Sequence, residues 1–174
     1  MKINNTDLLR YSKQIILKKI GISGQKKIFS TKVLIVGVGG LGCPLALYLA
    51  NTGIGIIGLV DDDKVDISNL NRQILFNTED LGKYKVVQAK KFLNKTNKKI
   101  KINIYKDRLI KKNINKILNK YDIICDCSDN FTTRYLLNSF CVKSKKILIS
   151  AAISKFEAHI FNFNFSKNIP CYKC

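Results

Sequence analysis

No run of apolar residues in the chain approaches the roughly 18 that a membrane-spanning helix needs. Nor does an apolar core follow the opening residues, Met1-Lys2-Ile3-Asn4-Asn5-Thr6-Asp7, as a secretory leader requires. These two absences set the expectation of a soluble, cytoplasmic protein. Histidine is almost missing: His159 stands alone in an apolar segment and reads as structural rather than catalytic. Acidic residues are scarce, 12 against 31 basic ones, for a formal charge of +19. Such an excess can serve a nucleic-acid groove through counterion release. Only four of the basic residues are Arg, however, and the 27 Lys are spread over most of the chain alongside many Asn and Ile. A biased, AT-rich coding composition gives the same pattern. The expectation is no nucleic-acid partner, and a general preference for acidic ones.

Internal repeats and long linkers are also lacking. With 174 residues, 46% of them hydrophobic, the chain can build one domain around a real core. Residues 7–20 put Leu8, Ile15, Ile16 and Ile20 at roughly helical spacing, with Gly21 as a stop and a short helix over 24–30. Residues 32–36 are a buried-strand pattern, followed by a glycine-rich turn and a helix to about 51–53. A second strand covers 56–60, a polar loop 66–82, and a helix 84–95. Ile100, Ile102 and Ile104 alternate as a strand, 109–118 reads as helix, 122–125 as strand, 131–142 as helix and 147–149 as strand. The alternation of Phe161, Phe163 and Phe165 predicts a closing antiparallel strand before Pro170. Strands alternating with helices imply an α/β, Rossmann-like, doubly wound and mostly parallel sheet, with a helical segment before it and an antiparallel strand at its end.

Gly37, Gly39 and Gly42 have the spacing of a dinucleotide-binding turn, with a strand before and a helix after. Such glycines let the backbone approach a phosphate, and the helix N-terminus favours negative charge. Asp61 follows nineteen residues after Gly42, at a strand end, where a carboxylate can hold both ribose hydroxyls. On these residues NAD and ATP remain inseparable, so a nicotinamide-dependent oxidoreductase stays open. The next segments lean toward a triphosphate. Asp61-Asp62-Asp63 leads to Ser68-Asn69-Leu70-Asn71-Arg72-Gln73 and then to Lys85. Arg72 and Lys85 supply fixed positive charge suited to a pyrophosphate leaving group. Asp129, in Asp126-Cys127-Ser128-Asp129-Asn130, closes a strand at its C-terminal end and is a natural Mg²⁺ ligand, since that ion takes few protein carboxylates. Of the six cysteines, Cys43, Cys125, Cys127 and Cys141 read as reduced and buried, while Cys171-Tyr172-Lys173-Cys174 has metal-ligand spacing.

Taken together, Arg10-Tyr11-Ser12-Lys13-Gln14-Ile15, Gly37-Val38-Gly39-Gly40-Leu41-Gly42, Asp61-Asp62-Asp63, Ser68 to Gln73, Lys85, Cys127-Ser128-Asp129-Asn130 and the Cys171–Cys174 pair resemble the ThiF/MoeB/HesA adenylyltransferases, relatives of ubiquitin-activating enzymes. The resemblance runs from Arg10 to Cys174. It implies ATP-dependent adenylation of the C-terminal glycine of a ubiquitin-like sulfur carrier ending in Gly-Gly, in thiamine or molybdopterin biosynthesis, by a homodimer. It implies nucleotide contacts by Gly37, Gly39, Gly40, Gly42, Asp61, Asp63, Asn69, Arg72, Lys85, Asp129 and Asn130, with Mg²⁺ on Asp129. A finger residue from the partner subunit is an Arg in the family and Lys13 here, which keeps the charge and loses the bidentate fork. The family's structural Zn²⁺ needs a second Cys-x-x-Cys, so Cys171 and Cys174 are expected to form half a zinc site in a domain incomplete at its C-terminal side. A non-catalytic or decayed fragment of such an enzyme is the alternative.

Overall fold

A computed structural model describes residues 3–167 and 169–173. The chain forms, in order, α1 (Asn5–Ile15), α2 (Gly21–Ser30), β1 (Lys32–Val36), α3 (Gly42–Thr52), β2 (Ile56–Val60), α4 (Lys85–Thr96), β3 (Lys101–Tyr105), α5 (Ile114–Leu118), β4 (Ile123–Asp126), α6 (Phe131–Ser144), β5 (Ile147–Ser154) and β6 (Glu157–Asn164). Short 3₁₀ turns at Ile67–Asn69 and Thr78–Asp80 punctuate the loop between β2 and α4. The strands make one sheet in the order β3-β2-β1-β4-β5-β6, parallel throughout except for the β5–β6 pair. This is the doubly wound architecture expected from the alternation of strand and helix.

Alternation along β1 divides the core. Val33 and Ile35 join a cluster with Ala46 and Ala50 of α3 and Val86, Ala89 and Leu93 of α4. Leu34 and Val36 face the other way, onto Ile114, Ile117 and Leu118 of α5 and Leu137, Phe140 and Cys141 of α6. A strand buried on both faces reads as a continuous apolar run, as 33–36 does. Each such Leu or Ile contributes about 1.5–3 kcal/mol on leaving water. From β1 the chain winds outward through β2 and β3, then returns to lay β4 on the other side of β1. The direction of winding therefore reverses between β1 and β4, and ligands of such sheets bind outside the strand ends at that reversal.

Three expectations are corrected. The first helix stops at Ile15 instead of running to residue 20, and Gly21 opens α2. Gly21 adopts a φ of +57°, a conformation glycine takes without Cβ strain, so the chain kinks there. The face of α1 is also reversed: Leu8 and Ile16 point to water, Ile16 with 71% of its surface exposed, while Asp7 and Tyr11 are buried. Tyr11 packs edge-on against Phe29, and its hydroxyl accepts from Asn97 Nδ2 at 2.9 Å. Asp7 caps the helix with Asn4 and pairs with Lys99 at 2.5 Å. Tertiary partners for two polar groups outweigh the apolar periodicity. Finally, only the second half of 109–118 is helical. Asn113 accepts from the Ile110 amide and donates to the Arg108 carbonyl, both at 2.9 Å, and so substitutes a local turn for the first helical turn.

Candidate nucleotide-binding site

The glycine turn after β1 divides by job. A Cβ on Gly37, whose φ is +90°, would lie 2.7 Å from the Cys127 carbonyl oxygen, and one on Gly42 would lie 1.9 Å from the Gly37 carbonyl oxygen. These two glycines allow the loops after β1 and β4 and the start of α3 to press together. Gly42 accordingly stands behind the cleft and is not part of its lining. Gly39 and Gly40 have open space on one side, with Gln73 Nε2 at 3.8 Å and Arg72 Cδ at 3.5 Å from where a Cβ would stand. With Gly37 they line a cleft of about 1100 Å³ outside the ends of β1 and β4. The first turn of α3 has no side-chain cap, so its N-terminal end faces this region without a competing carboxylate or hydroxyl.

The cleft brings together Gly37, Gly39, Gly40, Asp61, Asp63, Asn69, Arg72, Lys85, Asp129 and Asn130. On one wall, Asp61 accepts from the Val38 amide at 2.6 Å and the Asp63 amide at 2.8 Å. Burial pushes its carboxyl above the usual range, and those two amides pull the other way. Lys85, the first residue of α4, is buried, and its Nζ sits 2.9 Å from Asp63 Oδ2. Arg72 Nη1 donates to the Ser68 carbonyl at 2.8 Å and Asn71 Oδ1 at 3.0 Å, while its aliphatic stem lies beside Gly40. Asn69 lines the cleft while its Oδ1 accepts from the Asp66 amide at 3.2 Å to cap the 3₁₀ turn.

On the opposite wall, Asp129 is exposed, and its carboxylate accepts from Asn130 Nδ2 at 3.4 Å. Asn130 is the N-cap of α6, its Oδ1 accepting from the Thr133 amide at 2.9 Å, which accounts for that residue without a ligand. A single accessible carboxylate facing space for phosphate oxygens and water suits Mg²⁺. Among the described residues the one set of three close acidic groups is Asp61, Asp62 and Asp63, and Asp129 is not in it. Two of those three are already engaged, Asp61 by amides and Asp63 by Lys85.

Lys13 lies exposed on α1 and is absent from the cleft lining. Cys171 is half-buried against the second core cluster, and Cys174 falls outside the described residues. His159 sits on the rim of the cleft, largely exposed on β6 and stacked on Phe161, rather than in an apolar interior. Cys43, Cys125 and Cys141 are buried as expected, whereas Cys127 is half-buried and lines the cleft; desolvation pushes all four thiols up to about 12, which keeps them protonated near neutral pH.

Several lining residues carry no role in the sequence reading. Gln73 is buried beside Gly39, and its Oε1 has no partner among the described residues. Arg134 and Tyr172 close the β5 side of the cleft. Arg134 follows Asn130 by one helical turn, and that spacing is the only signal that could have singled it out. No helix among the described residues is long and apolar enough to cross a membrane.

Known proteins resemble this chain in sequence and in fold. The "Adenylyltransferase and sulfurtransferase MOCS3" of Culex quinquefasciatus is 44% identical over 173 residues, covering 99% of this chain and 39% of the relative. The "Adenylyltransferase and sulfurtransferase UBA4" of Debaryomyces hansenii is 45% identical over 166 residues, covering 95% of this chain and 37% of the relative. Among solved structures, Escherichia coli MccB with ATP superposes with a TM-score of 0.87 at 29% identity, over 98% of this chain and 52% of that one. The chain thus spans about two fifths of the length of the curated relatives it matches. The model of the ThiF family matches residues 11–174, the whole of the sheet and every residue that lines the cleft, and the chain belongs to that family.

Proposed function

We propose that the cleft binds ATP and adenylates the C-terminal glycine carboxylate of a ubiquitin-like sulfur-carrier protein. The observation that carries this reading is the charge layout of one cleft: Arg72 and Lys85 on the wall below the glycine turn, and the lone carboxylate Asp129 on the facing wall. That pairing suits a triphosphate and its cation. Hydride transfer calls for neither.

In this reading Asp61 accepts from the ribose hydroxyls, and Gly39 and Gly40 let the nucleotide lie against bare backbone. Arg72, Lys85 and Asn69 face the phosphates. For Lys85 this means leaving Asp63, so Asp63 holds the cation near its working position when no nucleotide is bound. A carrier carboxylate oxygen attacks the α-phosphorus, the bond to the β-phosphate bridging oxygen breaks, and pyrophosphate leaves with that electron pair. The products are an acyl-adenylate and pyrophosphate. Because the attacking group is already an anion, the protein supplies alignment and charge neutralisation rather than a base. Mg²⁺ on Asp129 would neutralise charge on the phosphate oxygens.

The names of the relatives support adenylyl transfer, and the chain is proposed to direct that transfer at a carrier protein and to act as a homodimer with Lys13 reaching the partner's cleft. Cys171 and Cys174 supply two thiolates, and a four-coordinate zinc site needs two more ligands. The test is ATP–pyrophosphate exchange with a carrier ending in Gly-Gly. Asp129→Ala should abolish exchange with the fold intact. Exchange unaltered by that change, or NADH binding without ATP binding, would sink the proposal. Loss of the Arg72 charge should cost about 2.7–4 kcal/mol of transition-state stabilisation, as for other single charge-stabilising groups.

A further inference from the structure

Arg134 looks like one more basic residue on a helix, yet it is buried. Its side chain is 6% exposed and lies 3.6 Å, from Nε to Oδ2, from the carboxylate of Asp126, which is 0% exposed. Withdrawing two such charges from water costs several kcal/mol per ion, so the pair is a poor device for stability alone. Its value lies in what the two groups hold. Asp126 Oδ1 accepts from the Ser128 amide at 3.0 Å and the Ser128 hydroxyl at 2.6 Å, and its Oδ2 accepts from the Ser150 hydroxyl at 2.8 Å. Arg134 Nη2 donates to the Ser128 carbonyl at 2.6 Å and to the Ala151 carbonyl at 3.2 Å.

The turn after β4 is therefore gripped at Ser128 by both polarities: the acid takes its donors and the guanidinium takes its acceptor. The same guanidinium ties the turn to β5, and Tyr172 covers it, with the ring centroid at 5.5 Å and the hydroxyl accepting from Nη1 at 3.4 Å. The next residue, Asp129, has no comparable support. Its carboxylate meets the Asn130 amide at 3.4 Å and otherwise faces the cleft. Its position is set by its main chain, and that main chain is held from the β5 side by the Asp126–Arg134 clamp.

We propose that Arg134 is a positioning residue, which fixes the turn between β4 and α6 so that the Asp129 carboxylate stands where the nucleotide's metal ion is bound. The inference rests on the reading of Asp129 as the Mg²⁺ ligand. Lysine at this position keeps the charge opposite Asp126 and loses the planar guanidinium, whose Nε faces Asp126, Nη2 the Ser128 and Ala151 carbonyls and Nη1 the Tyr172 hydroxyl. Loosening a group that orients a metal ligand typically costs about 10–100-fold in metal affinity.

The experiment titrates ATP onto wild-type, Arg134→Lys and Asp129→Ala chains, across a range of Mg²⁺ and again in EDTA, with melting temperatures measured alongside. In Arg134→Lys the Mg²⁺ needed for half-maximal ATP binding should rise about 10-fold or more. Its metal-free ATP binding should match wild type, and adding Arg134→Lys to Asp129→Ala should change nothing further. An unaltered Mg²⁺ requirement overturns the positioning role while Asp129→Ala still tests the metal site by itself. Equal weakening with and without Mg²⁺ also overturns it, as the mark of a residue that supports the fold or meets the nucleotide directly. Mg²⁺-dependent ATP binding that survives in Asp129→Ala, or is absent from wild type, sinks the reading beneath it. If Arg134→Lys does not fold, the doubly neutral Asp126→Asn/Arg134→Gln chain, which leaves no lone buried charge, takes the same titration with the same expected and overturning outcomes.

Discussion

At the scale of single residues, the glycine turn separates folding from binding within four positions. Gly42→Ala would force a Cβ to within 1.9 Å of the Gly37 carbonyl oxygen, main chain against main chain. No rotamer relieves that, so the start of α3 must shift, at a cost of about 1–3 kcal/mol or more. Gly40→Ala would meet only the Arg72 stem, at an ordinary 3.5 Å. Thermal melts should show a clear loss for Gly42→Ala and none for Gly40→Ala, whereas ATP titration should show weakened binding by a folded Gly40→Ala chain. Equal melting losses in the two variants would contradict this division. Asp61 adds a pH dependence. Its carboxyl is held above the ordinary value by burial. The ionised form is the better acceptor for ribose hydroxyls, so ATP affinity should climb with pH through a value above the ordinary Asp range. Asp61→Asn should flatten that limb in a binding titration, and a limb that persists in the variant would assign it elsewhere. For folding the sign is reversed. A raised pKa means that the folded state favours the proton, so this group's stabilising contribution is present below the unfolded value and is lost as pH rises through the folded one.

At the scale of elements, legibility followed how local the cause was. β1, the glycine turn and α3 could be read because buried strand, tight turn and helix each impose a pattern on adjacent residues. The ends of β2 and β4 could be read for a related reason: an apolar run stops at each, before Asp61 and at Asp126. What failed depended on partners far along the chain. Nothing near Asp7 announces Lys99, and nothing near Tyr11 announces Phe29 or Asn97, yet those contacts decide which face of α1 is buried. The shortened α5 failed differently, since Asn113 offers its own backbone a competing turn. Within the cleft, the sequence exposed the groups that line it and hid those that hold them in place. Gly39, Gly40, Arg72, Lys85 and Asp129 stand in recognisable runs, whereas the Asp126–Arg134 clamp joins a strand end to a helix through contacts that leave no periodic trace.

At the scale of the molecule, Lys13 poses a problem that one chain does not solve. It rides on an exposed helix and takes no part in lining the cleft, although it stands in a run that matches the family. If it contributes charge to the reaction, a second copy must receive it. The surroundings of Lys13 favour such a partner: Leu9 is 79% exposed, Leu17 53% and Ile22 51%, an apolar fringe on α1, α2 and the turn between them that a second copy would remove from water. An isologous dimer then has two clefts, each with Asp129 from one chain and Lys13 from the other. Lys13→Ala and Asp129→Ala chains should each be inactive alone in pyrophosphate exchange. In a mixed dimer, one cleft carries both substitutions and the other carries neither. Random reassortment of equal amounts makes half the dimers mixed, so the mixture should recover about one quarter of wild-type activity per chain. If differently tagged subunits are seen to exchange and activity does not return, Lys13 does not act across an interface. If Lys13→Ala alone keeps full activity, the lysine is a solvated surface charge and the cleft works without it.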